Sequence, residues 1–224
     1  MKKILLSALL TICSITLTIA QLNEGHVKFE IEVSATNPEM EMAVGMMQGS
    51  TMNLFFADQD LHSELNMGTM MTVSTIVLGK SGDVMILMNG MMGKKAIPTT
   101  LDEVLENTKS KEVSPMDVEL LDETKDIAGY SCKKAILTNE DGDEMVTWYT
   151  ADIKVNTQGQ SYHNENVPGF PLQFTQNANG LIMTITAIEI EESISKKDKK
   201  ELFSSKVPDG YTEMSPEALN KMGM

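Results

Sequence analysis

The chain has 224 residues, 42% of them hydrophobic, with 32 acidic against 18 basic side chains and a formal charge of −14 at pH 7. Every basic residue is Lys, so no Arg-rich stripe exists to neutralise phosphates, and an acidic surface excludes nucleic acid and anionic lipid head groups as natural partners. About 200 residues suffice to bury one real core.

Lys2 and Lys3 form a short positive region, and Ile4 to Ile19 then carries no charge. Thr18-Ile19-Ala20 offers a signal-peptidase site before Gln21, so residues 1–20 are expected to be a cleaved export signal. The stretch is short for a membrane anchor and its flanks do not suit one. Cys13 raises lipidation as an alternative, but Ile12 precedes it where a small residue is wanted, and the apolar run continues beyond it. Cleavage leaves residues 21–224 as a single β-rich domain of charge −16, with Cys132 its only cysteine and no second hydrophobic span. The expected location is the periplasm, the outer membrane surface or the outside of the cell.

His26 to Val33 alternates strictly, with Val27, Phe29, Ile31 and Val33 on one side, which reads as a half-buried strand. Asn37-Pro38-Glu39 then looks like a helix start. Met40, Ala43, Val44 and Met47 follow at helical spacing, and Gly49 ends the run, predicting about three turns. Strand rhythm returns over Met52–Phe56, Leu61–Leu65, Met70–Leu78 and Val84–Met88, with Gly68, Ser81-Gly82-Asp83 and Asn89-Gly90 as turns. Thr100 and Glu103 form a capping box for a short helix.

Val118–Leu121, Lys133–Leu137 and Met145–Thr150 are further strands, the last two joined by the acidic turn Asn139–Asp143. Gln158–Asn166 reads as a loop. Phe170–Thr175 and Leu181–Glu192 form a hairpin around Asn177-Ala178-Asn179-Gly180. Asp198 and Glu201 are expected to cap one helical turn, and Ser215-Pro216-Glu217 to open a last helix carrying Leu219 and Met222. The sum is a mainly β (α+β) fold: a curved open antiparallel sheet or half-barrel of about ten strands wrapped on two to four short helices.

Catalytic patterns are sparse. His26, His62 and His163 are far apart and read as surface histidines. No nucleophile elbow, phosphate loop or dinucleotide fingerprint occurs. Cys132 has no base near it in sequence and reads as a small buried residue. The turn at Asn139–Glu144 opens like a calcium loop but has Glu144 where the loop needs Gly. No enzyme activity, cofactor or metal is expected.

The 19 methionines stand out, twelve of them between Met40 and Met92. Flexible core filling is one reading. An adaptable apolar cavity is a second, and Cu(I) held by soft thioethers a third.

Four phrases in the second half carry a resemblance. Ile127-Ala128-Gly129-Tyr130-Ser131-Cys132-Lys133-Lys134-Ala135, then Trp148-Tyr149-Thr150, Pro168-Gly169-Phe170-Pro171-Leu172 and Val207-Pro208-Asp209-Gly210-Tyr211 occur in this order in a domain of unknown function common in exported Bacteroidota proteins. That family resembles the LolA/LolB-like lipoprotein carriers, and the resemblance covers roughly residues 115–212. It implies an open barrel whose concave face holds acyl chains, although the absence of Arg means that no Arg-dependent cargo contact is carried over.

The expected function is therefore a cell-envelope protein holding a lipid or other apolar ligand in a Met-rich cavity lined by Met40, Val44, Met47, Met71, Met88, Trp148 and Phe170. The alternatives are a structural or interaction module with a filled core that binds an envelope protein, and a Cu(I) binder.

Overall fold

The computed structural model describes residues 21–216 apart from 92, 110–115, 141, 156–163, 165 and 179. The expected signal, most of the loop at 158–166, His163 and the body of the expected last helix lie outside the described residues.

Twelve strands form one sheet. The first half contributes β1 (Glu24–Ala35), β2 (Thr51–Ala57), β3 (Asp60–Asn66), β4 (Met71–Leu78), β5 (Asp83–Gly90) and β6 (Gly93–Thr100). The second contributes β7 (Asp117–Ile127), β8 (Tyr130–Thr138), β9 (Glu144–Thr150), β10 (Phe170–Ala178), β11 (Leu181–Glu191) and β12 (Thr212–Glu213). Their order is β12-β6-β5-β4-β3-β2-β1-β11-β10-β9-β8-β7. Each half is a meander, and β1 joins them by pairing with both β2 and β11. All pairs are antiparallel except β12 on β6, so the sheet is open and mixed. β7 forms one margin, with Asp117, Glu119, Asp122, Glu123 and Asp126 along it and a bulge between Leu121 and Thr124.

The register explains the layering. Residues paired across antiparallel strands share a face. Val27, Leu54 and Ile86, with Phe29 and Met52 two positions along, lie on the inner face. Opposite them the second half supplies Ile127, Cys132, Phe170, Leu172, Phe174 and Ile185, and together these build the main core. Phe29 meets Phe170 and Phe174 edge-on, with ring centroids 6.5 Å apart in each case. On the outer face His26, Phe55, His62, Ile76 and Met85 form one row.

Two strands exceed the ten expected. β6 escapes pattern reading because Lys94, Lys95 and Pro98 break its apolar rhythm. Proline is tolerated there because, among the described residues, β12 pairs with Lys95 and Ala96 and not with Pro98. β12 is too short to read.

Among the described residues three α-helices form, within the expected range. α2 (Leu101–Lys109) has the predicted capping box: Glu103 N–H donates to Thr100 Oγ1 at 3.3 Å, and Thr100 N–H to Glu103 Oε2 at 3.2 Å. The predicted Met40–Met47 helix is shorter than expected. Pro38–Met40 is a 3-10 turn, and α1 spans only Glu41–Met47 with Met47 its one buried residue. Gly45 inside it weakens propagation, and the Asn37 side chain makes no capping bond. The cap of α3 (Lys196–Leu202) is also corrected. Ser195, not Asp198, is the N-cap, accepting from Asp198 N–H at 3.2 Å while its hydroxyl donates to the Asp198 carboxylate.

Candidate functional site

The seven residues expected to line a cavity are spread over the Pro38–Met40 turn, α1, β4, β5, β9 and β10. Met40, Val44, Met47 and Met71 lie at the α1 end, where Thr69 N–H donates to the Met46 carbonyl at 3.2 Å. Met88 is half-buried on β5. Trp148 sits on β9 with Lys125 Nζ 5.6 Å and Lys134 Nζ 5.9 Å from its ring centre. Phe170 is buried in the main core. Methionine has several uses here. Met47, Met52 and Met85 are buried, whereas Met42 is 79% and Met91 96% exposed.

Two clefts lie at the opposite end, around the chain from Thr150 to Val155. Leu22 adds a short parallel bridge to Ile153. Its N–H donates to the Asp152 carbonyl at 2.7 Å, and its carbonyl accepts from Lys154 N–H at 2.8 Å. Gln21 Nε2 donates to the Ala151 carbonyl at 2.8 Å. One cleft opens on each side of this clamp.

The first, of about 380 Å³, is lined by Leu22, Ile190 and the β7–β8 turn, with Asp152, Glu192 and Tyr130 as its polar groups. Ile127 pairs with Tyr130, so Ala128 and Gly129 form a two-residue turn, with φ of 49° and 87°. Such a turn needs positive φ at both positions, and alanine is strained there by roughly 1–2 kcal/mol. Tyr130 O–H donates to Glu192 Oε1 at 3.1 Å. Burial foremost, and then that bond, push the phenol above its ordinary range.

The second cleft, of about 390 Å³, is lined by Gln21, Lys154, Val155, Val167, Pro168 and Phe170 among others. Gly169 is required there, since a Cβ would stand 2.4 Å from the Thr150 carbonyl oxygen.

Three of the four phrases read in the sequence therefore meet at this end. Ala128–Ser131 wall one cleft, Pro168–Phe170 wall the other, and Trp148-Tyr149-Thr150 leads into the strip between them. Sequence reading missed the site because Gln21 and Ala151 are 130 residues apart. Only the shared order of the phrases hinted at it.

Cys132 is fully buried beside this end. Burial, with Asp126 next in effect, pushes its thiol up to about 11, which favours the protonated form over the reactive thiolate near neutral pH. Among the described residues no three His, Cys, Asp or Glu side chains gather closely enough to hold a metal ion.

His62 corrects the expectation of surface histidines, because both its ring nitrogens are buried. The fold also brings His26 and His62 to either side of Phe55, with ring centres 4.2 Å and 5.7 Å from it.

Residues 92–212, just over half of the chain, match the family described as N-glycanase peptide, N-terminal domain. No curated protein matches the sequence significantly. Among solved structures, PNGF-II is 15% identical with a TM-score of 0.41, over 89% of this chain and 32% of that one. MucB is 12% identical with a TM-score of 0.41, over 85% of this chain and 60% of that one. A LolA-superfamily protein from Nitrosomonas europaea is 10% identical with a TM-score of 0.23, over 80% and 90%. The chain thus spans about a third of PNGF-II and under two thirds of MucB. No helix among the described residues is long and apolar enough to cross a membrane, which says nothing of strands.

Proposed function

The chain belongs to the family of N-glycanase N-terminal domains, and from that membership we propose that it is a non-catalytic binding module of an exported protein, holding a hydroxyl-rich ligand in the clefts beside Thr150–Val155. The observation that carries the reading is the meeting, at one end of the sheet, of three of the sequence phrases, all of which lie within the matched residues 92–212. There a strained Ala128 and an obligatory Gly169 fix the walls. Backbone strain kept at one place is a reason to look for function there. The Ser131 hydroxyl offers a donor, and Tyr130 Oη, Asp152 and Glu192 offer acceptors, beside the apolar surfaces of Leu22 and Ile190, the mixture that suits a sugar with polar edges and C–H faces. The family name makes an N-linked glycan the first probe to try.

The apolar ligand expected from the LolA resemblance needs an open channel. The inner face instead packs Phe29, Phe56, Leu54 and Leu172, each at most 1% exposed. That favours the polar end clefts.

The reading is tested by calorimetry and native mass spectrometry with a glycopeptide, the same peptide without its glycan, and a fatty acid. Glycopeptide alone should bind, and Tyr130→Phe with Asp152→Ala should weaken it at least tenfold. Uptake of fatty acid unaffected by those substitutions, or no binding of any probe, overturns the proposal.

A further inference from the structure

The outer face of the first half is covered by the chain's own C-terminal segment. After β11 the chain runs across the sheet from β1 to the β6 margin. Its first anchor is Glu24 on β1, which accepts Ile194 N–H at 3.0 Å and pairs with Lys199 of α3. The backbone of Leu202 next approaches His62. Tyr211 then packs on the cluster of Ile76, Met85 and Ala96, with Lys94 Nζ 5.6 Å from its ring centre. The segment ends as β12 on β6, where Met214 N–H donates to the Ala96 carbonyl at 2.8 Å.

His62 is the odd group under this strap. Neither buried ring nitrogen has a hydrogen-bond partner, and the Leu202 backbone comes near without the geometry of a bond. A buried polar group left unpaired calls for an explanation. Its neighbours across the strands are Phe55 and Ile76, which do not titrate. The charged or titratable groups on the same face include Asp60 and Glu64 of β3, Glu24, His26 and Lys28 of β1, Glu189 and Glu191 of β11, Lys94 of β6, and Lys199 of α3.

We propose that residues 193–214 form an acid-released strap. Protonation of His62 puts a charge in a buried site where the approach of the Leu202 backbone does not offset the loss of water, and protonation of Glu24 cuts the ion pair at the near end. Release uncovers the Ile76–Met85–Ala96 cluster and frees the β6 margin.

The sign follows from proton uptake. Burial lowers His62 from its ordinary value of 6.5 to about 4, so the closed strap binds fewer protons than the open one. Closure is fully favoured above about 6.5 and weakens as pH falls toward about 4. Glu24 is lowered, chiefly by its bond to Lys199 and then by that to Ile194 N–H. Its contribution is present above the ordinary carboxylate value and is lost below it, so the two anchors fail in the same direction, His62 first.

The test is hydrogen–deuterium exchange of the full chain at pH 7.0 and 4.5, corrected for intrinsic rates. Peptides from residues 194–214 should lose protection by up to roughly 60-fold at the lower pH, the ceiling set by His62 alone, while peptides of β1 keep theirs. His62→Phe should abolish most of that loss, and Glu24→Gln should loosen the near end at both pH values. Equal protection of the strap at both pH values overturns the proposal, as does an equal loss in β1 or an undiminished loss in His62→Phe. If His62→Phe does not fold, the wild-type contrast between strap and β1, together with Glu24→Gln, still decides.

Discussion

Phe29→Ala probes how the two halves of the sheet depend on each other. Phe29 is 1% exposed on the inner face of β1 and meets Phe170 and Phe174 of β10 edge-on. Truncating a buried Phe costs about 3–5 kcal/mol. That total includes the two aromatic contacts, each contributing about 0.5–1.5 kcal/mol beyond area burial. In a chain of this size each kcal/mol lowers Tm by about 2–4 °C, so a fall of about 10 °C is expected. Urea unfolding followed by far-UV circular dichroism reports the whole sheet, whereas Trp148, the single tryptophan, reports β9 in the second half. If one core unites residues 21–224, both signals shift together by the same free energy. A shift below about 1 kcal/mol, or a Trp148 transition that stays in place while the dichroism moves, would refute the shared core.

Cys132 should resist alkylation at pH 8 in the folded protein and react promptly once urea unfolds it, since its thiol is buried and pushed up to about 11; a native rate near that of a free thiol would contradict the packing. Thr100→Ala removes the acceptor for Glu103 N–H and should cost about 1 kcal/mol in chemical denaturation, with Thr100→Ser restoring most of it. Thermal stability should decline as pH falls from about 6.5 toward about 4, where His62 must charge in its buried site, and His62→Phe should flatten that decline.

Much of the fold was legible because its signals are local. The alternation of His26–Val33, the Thr100/Glu103 box and the turn glycines each depend on near neighbours, and each element formed where its pattern lay. What escaped depends on distant partners. β6 is a strand because β5 provides the ladder for Lys94, Lys95 and Pro98. α1 is short because Gly45 and a single buried Met47 leave little to sustain it. His62 sits in a strand with polar neighbours, and nothing local tells that the C-terminal segment will lie over it. The candidate site was the least legible part. Its two clefts exist only because Gln21 and Leu22 clamp onto Ala151–Lys154, and the methionine pattern drew attention to the other end of the sheet.

The acidic margin formed by β7 has a consequence for the company the protein keeps. An open sheet invites further strands to join at its ends. At one end the chain's own β12 occupies part of β6. At the other, five carboxylates and a bulge line an eleven-residue strand whose outer side pairs with nothing in the sheet order. Glu123 is paired with Lys134, but the net negative charge of that margin disfavours the edge-to-edge joining of further copies of the chain near neutral pH. Acid, by protonating those carboxylates, would weaken that repulsion.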